Sequence, residues 1–170
     1  MVVNVRYMVR GSKRANDSLQ KFALDDDAFA EGSQRIFSYL REVSRRNFIS
    51  QSSGEGGKWP GYTGDERLYG IIKKQLIGEK YGTRLLRWAP GMERLFPSLT
   101  ENRHPDQIAE TNGRTIIFGT AVPYASNHQY GQGRGPKWAK EPRVKQRRFL
   151  SLTPQMIAEI RRIIASVTGI

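Results

Sequence analysis

The chain has 170 residues and no cysteine, with 38% hydrophobic residues, 26% charged residues and a formal net charge of +12. A chain of this length is expected to form one domain over residues 1–170, because two cores would leave roughly 85 residues each. The composition is too apolar for a disordered chain, and disulfides and thiolate metal sites are excluded. We find no apolar run long enough to span a membrane, and the alternating start MVVNVRYMVRG predicts no signal peptide.

The excess of basic residues favours an acidic partner, such as nucleic acid, a membrane surface or an acidic protein face. The basic residues are scattered, and the densest group lies between Lys140 and Arg148, interrupted only by Glu141. Three interpretations stay open: a solubilising surface, contact with an acidic protein, or nucleic-acid binding. Membrane contact is not predicted.

The first predicted element is a strand. Val3, Val5, Tyr7 and Val9 alternate with residues that are mostly polar, which indicates a half-buried strand. Residues 11–18 are rich in Gly, Ser, Asn and Asp and predict a polar turn.

A long helix is predicted from Asp25 to about Phe48. Asp25 is the expected N-cap, and the two aspartates after it place negative charge at the positive end of the helix dipole. Apolar residues then recur every three or four positions and form one stripe: Phe29, Ile36, Leu40, Val43 and Phe48. Arg41, Arg45 and Arg46 lie largely off this stripe, so we expect them to be solvated.

The middle of the chain gives weaker patterns. Residues at about 50–64 predict a flexible Gly-rich loop, and residues 68–77 a short helix interrupted by glycines. Residues 84–99 are split by Pro90–Gly91 into two short elements. Residues 101–113 predict a polar loop or a solvated hairpin arm, and residues 114–120 a strand.

The C-terminal end predicts a second amphipathic helix. Thr153 is the expected N-cap, Pro154 occupies the first helical position, and Gly169 ends the helix. Its apolar face comprises Met156, Ile157, Ile160, Ile163, Ile164 and Val167. These elements predict an α+β fold, with a small antiparallel sheet packed by the long helix and the C-terminal helix and joined by extended loops.

Catalytic motifs are not apparent. The two histidines, His104 and His128, lack the spacing of a metal or catalytic motif, and the Gly-rich residues 131–135 lack that of a dinucleotide-binding loop. Adjacent aspartates at 25–27 point in different directions at a helix start, where capping explains them. We therefore predict no enzyme, metal or cofactor site.

Three stretches carry a family resemblance. The first is a Gly-rich loop leading from Gly56 into Trp59, and the second is residues 85–99 (LLRWAPGMERLFPSL). The most specific is residues 117–131 (IFGTAVPYASNHQYG), followed after a Gly-rich gap by residues 147–150 (RRFL). Together they resemble the phage virion morphogenesis family, the tail-completion (neck) proteins typified by the Mu-like protein G.

The resemblance implies a structural virion protein of a tailed phage or prophage-derived tail, with no enzymatic activity and no cofactor. Such proteins are implied to form rings, expected to be hexameric, that complete the tail and join it to the head. The implied neighbours are the tail terminator, the tail tube and the head connector. Double-stranded DNA would pass through the lumen without sequence-specific binding, and the protein would be located in the virion neck after assembly in the host cytoplasm.

The third stretch also has a physical interpretation. Pro123 ends a strand, one helical turn is expected to place Tyr124, His128 and Tyr130 against the sheet, and Gly131 ends that turn. The residues taken as the fold signature are Pro123, Tyr124, Ala125, Tyr130, Gly131, Phe149 and Leu150. For His128, Gln129 and Arg147, two roles stay open: a ring interface or a buried hydrogen bond.

One segment departs from the family pattern. Where the family has the proline-rich I-P-x-R-P-F-L, basic residues replace both prolines here, in a basic loop at about 131–148. We hypothesise that this loop meets an acidic face of a neighbouring subunit or neck protein. The interface candidates are His128, Gln129, Arg134, Lys137, Trp138, Lys140, Arg143, Lys145, Arg147 and Arg148. The alternative function is a basic nucleic-acid-binding module, and a small hydrolase or nuclease would need a cluster of acids or histidines that the sequence does not supply.

Overall fold

The computed structural model describes residues 13–54, 57–61, 71, 75, 93–112, 114–134 and 142–169. Over this part of the chain the helices are α1 (Lys13–Leu24), α2 (Asp26–Ser50), α3 (Leu95–Thr100), α4 (Ala125–Tyr130) and α5 (Pro154–Thr168). The strands are β1 (Gln107–Asn112), β2 (Thr115–Thr120), β3 (Gln132–Arg134) and β4 (Pro142–Val144). No helix within these ranges is both long and apolar enough to cross a membrane.

Helix α2 confirms the predicted long helix and its capping. The Asp25 side chain accepts a hydrogen bond from the backbone N–H of Ala28 at the first turn. The helix ends where Gln51 takes a left-handed conformation (φ 51°) and donates its N–H to the Asn47 carbonyl. The predicted apolar stripe faces the interior, and Phe37 is buried beside it.

Helix α1 corrects the turn that was predicted over residues 11–18. Asn16, Asp17 and Ser18 lie inside α1, although these residue types favour turns. The reason is tertiary: Leu19 and Phe22 pack into a cluster with α2 and α5, and Lys21 Nζ donates to the Thr168 carbonyl at the end of α5. The strand predicted for residues 3–9 lies outside the described residues.

Two apolar clusters share α2 as their common wall. The larger contains Phe37, Phe48, Trp59, Leu95, Leu99, Phe118, Val122, Ala125 and Phe149. The smaller contains Phe22, Phe29, Ile36 and Ile164, so it joins α1, α2 and α5. Leu40 and Ile116 contact both clusters, and the result is one continuous interior around α2.

The predicted α+β class is confirmed, and the strands form two separate hairpins. Strand β1 pairs antiparallel with β2, from Gln107 opposite Thr120 to Asn112 opposite Thr115. Residues 107–112 are therefore the hairpin arm that was one of two alternatives for residues 101–113. Strands β3 and β4 form the second antiparallel pair.

Strand β2 corresponds to the strand predicted over residues 114–120. Arg45 and Arg46 are exposed as expected, whereas Arg41 is half-buried and donates to Gln107. Helix α3 corresponds to the second of the two elements predicted over residues 84–99. The first of these elements lies outside the described residues. Most of the short helix predicted over residues 68–77 also lies outside them. Helix α5 begins with the Thr153 hydroxyl accepting from the Met156 N–H. It ends at Gly169 (φ 66°), which donates to the Ala165 carbonyl.

Gly32 sets how closely three helices approach one another. A Cβ atom added at Gly32 would lie 2.4 Å from Cε2 of Phe22 on α1 and 3.2 Å from Cγ2 of Val167 on α5. The missing side chain therefore lets α1, α2 and α5 meet over the smaller cluster.

We expect Gly32→Ala to destabilise the fold by about 1–3 kcal/mol through overpacking against Phe22. This loss should exceed the gain of about 1 kcal/mol that alanine brings to a helix interior. Urea unfolding measures the difference. In a Phe22→Ala background the same substitution should be neutral or stabilising, and equal losses in the two backgrounds would contradict this account.

Candidate functional site

The Gln129 side chain holds the segment that leads into α5. Gln129 lies on α4 and is 6% exposed. Its Oε1 accepts hydrogen bonds from the backbone N–H groups of Phe149 and Leu150, each at 3.1 Å, and its Nε2 donates to the Leu150 carbonyl. Buried peptide groups outside helices and strands need such partners, because a buried N–H or C=O group without a hydrogen bond destabilises the fold by about 1–3 kcal/mol.

Arg147 is bound internally and is 1% exposed. Its Nε donates to the Pro60 carbonyl and its Nη2 to the Gly61 carbonyl, both at 3.0 Å. Its backbone N–H donates to the His128 carbonyl at 2.6 Å. Of the two roles left open by the sequence, the structure gives Gln129 and Arg147 the buried hydrogen bonds, so Arg147 is not a surface charge.

Two further side chains bind the same segment from the other side. Trp59 Nε1 donates to the Arg148 carbonyl at 3.0 Å, and Asn47 Nδ2 donates to the Phe149 carbonyl at 3.3 Å. Phe149 itself is fully buried among the aromatic rings near Phe48. These bonds bring together three stretches: the one with Trp59, residues 117–131 and residues 147–150. Trp59 and Arg148 are 89 residues apart along the chain.

A short antiparallel strand pair follows α4 in the chain. Gly131 ends α4 with φ 77°, and Gln132 and Arg134 then pair with Val144 and Pro142. We call residues 132–144 the basic arm. Neither of its strands packs extensively against another described element.

Both ends of the basic arm are fixed to α4. On the outgoing side, Gln146 Nε2 donates to the Gln129 carbonyl at 3.1 Å, next to the bond between Arg147 N–H and His128. We call Gln129, Gln146 and Arg147 the anchor. The anchor holds the chain entering and leaving the arm in one place.

The interface candidates are distributed around this arm. Arg134 and Arg143 lie in its two strands, whereas Lys137, Trp138 and Lys140 fall outside the described residues. Lys145 is half-buried and Arg148 is exposed at the base of the arm. The role of these residues as an interface stays a prediction.

The residues named as the fold signature are divided between the interior and the surface. Ala125 and Phe149 are buried in the larger cluster, with Leu150 packed against it. Tyr130, expected against the sheet, is 61% exposed, and Tyr124 is 39% exposed. The buried face of α4 carries Ala125 and Gln129, four residues apart, so Tyr130 lies on another face.

Pro123 is also exposed, next to a polar corner formed by Tyr124, Arg94, Asp106 and the two histidines. Arg94 donates two hydrogen bonds to Asp106, at 2.9 and 2.7 Å, and these lower the pKa of the Asp106 carboxyl. Burial raises the pKa of the Tyr124 hydroxyl, an effect that a hydrogen bond to the Leu95 backbone partly offsets.

This corner does not form a reactive group. The His104 ring accepts a bond from the Asp106 N–H through Nδ1, and His128 meets the Tyr124 ring edge-on at 6.1 Å. Both oxygens of Asp106 are taken up by Arg94, so the carboxylate is a poor base. Among the described residues, no group of three or more His, Asp or Glu side chains is placed to hold a metal ion.

Sequence reasoning missed Asn47 and left the role of Gln129 open, although both side chains hold the segment that leads into α5. Asn47 sits on the apolar side of α2, and Gln129 lies one turn after the buried Ala125. Each is a polar residue on an otherwise apolar helical face, and that pattern indicates a buried hydrogen bond.

We expect Gln129→Leu to lower the free energy of unfolding by about 2–5 kcal/mol, because it leaves two N–H groups and one carbonyl without partners. Chemical denaturation followed by Trp fluorescence measures this. Gln155→Leu is the control, since Gln155 is exposed on α5 and its substitution should change stability by less than about 0.5 kcal/mol. Similar losses in the two variants would refute the role of Gln129.

Arg147→Lys should destabilise the protein by about 1–3 kcal/mol, because lysine keeps the charge but cannot reproduce the paired guanidinium bonds. As a control, Arg161→Lys changes an exposed side chain on α5 and should leave the melting temperature nearly unchanged. Thermal unfolding of the two variants side by side provides the test. An unchanged melting temperature for Arg147→Lys would show that the guanidinium bonds contribute nothing.

Part of the chain is similar to a phage protein. It is 44% identical over 63 residues to the Mu-like prophage FluMu G protein 2 of Haemophilus influenzae, a stretch that covers 36% of this chain and 43% of that protein. The match thus spans less than half the length of this curated relative. No protein-family model matches the chain, and no solved structure does. The similarity suggests a phage protein related to the Mu-like protein G.

Proposed function

We propose that the chain is a structural, non-enzymatic virion protein of a tailed phage or prophage-derived tail. In this proposal it completes the tail and joins it to the head in the neck, as a subunit of a hexameric ring around the DNA channel. The observation that carries the proposal is the 44% identity over 63 residues to a Mu-like prophage G protein.

Three polar side chains in the family-like stretches support this proposal. Gln129, Arg147 and Trp59 hydrogen-bond to backbone atoms of the same chain. Groups engaged in this way position a segment and are not free for chemistry. These side chains then hold the base of the basic arm, which suits a protein that acts by contact.

The basic arm is the part we assign to contact with a neighbour. It contains four basic residues and one acidic residue, and its two ends are fixed by the anchor. Fixed ends reduce the conformational entropy that the arm loses on binding. Subunits of a ring meet through two different surfaces, so an arm that reaches an acidic face of the next subunit, or of a neck protein, fits that requirement.

The remaining parts of the proposal concern location and partners. The ring would lie between the tail terminator and tail tube on one side and the head connector on the other, after assembly in the host cytoplasm. Double-stranded DNA would pass through the lumen, and the excess positive charge would interact with phosphates without reading the sequence.

The net charge of +12 also favours a second candidate, a basic nucleic-acid-binding module. The two candidates differ in their response to salt. Weak, purely electrostatic DNA contact should be lost as the salt concentration rises, whereas a dedicated binding module should retain duplex DNA above about 0.2 M salt.

We expect Lys137→Glu/Lys140→Glu in the arm to reduce head–tail joining at least about ten-fold while leaving the unfolding free energy within about 0.5 kcal/mol. Joining is measured by complementation of the phage or prophage that carries the gene, and ring formation by native mass spectrometry and negative-stain imaging. The matched control is Arg46→Glu/Arg161→Glu, which changes the net charge equally at two exposed positions on α2 and α5.

The control separates contact through the arm from general electrostatics. If both double variants lose joining equally, the arm has no special role. If the arm variant joins normally, the proposed contact is wrong. Duplex DNA retention by the unaltered protein above about 0.2 M salt, without rings or joining activity, would favour the nucleic-acid module instead.

A further inference from the structure

Three arginines are gathered where α2 passes the start of β1. Arg41 and Arg45 are one turn apart on α2, so their side chains share one face of the helix. The turn that leads into β1, residues 101–106, is hydrogen-bonded to this face and carries the exposed Arg103. We call Arg41, Arg45 and Arg103 the arginine face.

Arg41 is the member of this face that is half-buried. Its Nη2 donates to Asn102 Oδ1 at 3.2 Å and to Gln107 Oε1 at 3.3 Å, and both acceptors are neutral amides. Its Nε N–H is buried and has no hydrogen-bond partner within the part of the chain that the structure describes. Burying a charge is costly unless an opposite charge or strong hydrogen bonds compensate for it. The two long bonds to amides provide only part of that compensation.

The pKa of Arg41 also indicates that an opposite charge is missing. Burial lowers the pKa of the Arg41 guanidinium. The hydrogen bonds that Arg94 donates to Asp106, by contrast, raise the pKa of Arg94. A carboxylate within about 4–6 Å favours the charged form of a base. Among the described residues, Arg41 therefore lacks the kind of partner that Arg94 has.

The other two arginines are accessible to a partner. The Arg45 side chain is 50% exposed, and its Nε lies 4.0 Å from Glu42. Arg103 is exposed and has φ 64°, a conformation that residues other than glycine seldom adopt. Glu42 and Glu101 are exposed at the border of the face and interrupt its positive charge. Such a mixed surface suits the separate carboxylates of a protein better than the continuous phosphates of nucleic acid.

The chain itself carries a complementary surface at the beginning of α2. Asp25, Asp26 and Asp27 are consecutive, and all three are exposed. The Asp26 side chain is 89% exposed although it contacts Arg114. These three residues are the longest acidic run in a chain with 28 basic and 16 acidic residues.

The two surfaces are too far apart to meet within one subunit. Asp26 and Arg41 are 15 positions apart in α2, which corresponds to about 22 Å along the helix. Two copies can bring them together, because each copy offers one surface and accepts the other. A contact between two different surfaces is heterologous, and this is the type of contact that builds a ring.

We propose that the arginine face of one copy binds the acidic start of α2, Asp25–Asp27, of the next copy. A carboxylate of the second copy gives Arg41 the opposite charge that it lacks, and the others pair with Arg45 and Arg103. This inference rests on the proposed function, because it identifies a contact between subunits of the ring. The contact does not involve the basic arm.

The test reverses one charge on each side of the contact, in the full-length chain. Arg103→Glu and Asp27→Arg change exposed residues, and Arg41 is kept because it is bonded within the fold. We expect each single variant to weaken self-association at least about ten-fold, because like charges then face each other. Analytical ultracentrifugation measures the association, and thermal unfolding verifies that each variant is folded. Arg161→Glu, at an exposed position on α5, is the control for net charge and should associate as the unaltered chain does.

Two combinations should restore the association. One is the double variant Arg103→Glu/Asp27→Arg, in which opposite charges face each other again. The other is an equimolar mixture of the two single variants. When these alternate around a ring, every contact joins two opposite charges, so the mixture should form oligomers that neither variant forms alone.

Several results would overturn the inference. Association that is lost in the single variants and restored in neither combination would show that these charges do not face each other. Normal association of both single variants would exclude the contact and leave the proposed function intact, as would an unaltered chain that stays monomeric but still joins heads to tails. Loss of duplex DNA binding in Arg103→Glu, with no change in oligomeric mass, would assign the arginine face to phosphates instead.

Discussion

The shape of the C-terminal half depends on one buried amide. The Gln129 side chain meets two N–H groups and one carbonyl of residues 149 and 150, in a segment without helix or strand partners. Phe149 can be fully buried in the larger cluster only because these peptide groups are satisfied. The Arg147 guanidinium likewise donates hydrogen bonds to the backbone carbonyls of Pro60 and Gly61. A charged side chain thus stabilises the interior of the fold. The start of α5 and the base of the basic arm are both placed by these contacts.

The elements that were predicted from the sequence are those specified by neighbouring residues. Helices α2 and α5 have the predicted aspartate or threonine cap and periodic apolar face, and α5 ends at Gly169 as predicted. Helix α1 was not predicted, because Asn16, Asp17 and Ser18 favour a turn and only contacts with α2 and α5 make them helical. Tertiary packing can override the local preference of such residues, and these contacts cannot be predicted from a short stretch of sequence.

The sequence named the residues of the candidate site but did not give their arrangement. The expected helical turn put Tyr130 against the sheet, and the roles of Gln129 and Arg147 were left open between two alternatives. The helical period was the missing information: Ala125 and Gln129 share the buried face of α4, and the large tyrosine ring lies outside it. The partners of Arg147 are 86 and 87 residues away in the chain. Pairings of that range follow from the completed fold alone.

The bond between Arg147 N–H and the His128 carbonyl separates the basic arm from the rest of the molecule. It joins the chain entering the arm to the chain leaving it. The structural effect of a change in the length or sequence of the arm is therefore expected to end at this bond. Insertions and new charges within the arm are therefore expected to be tolerated while the interior keeps its packing.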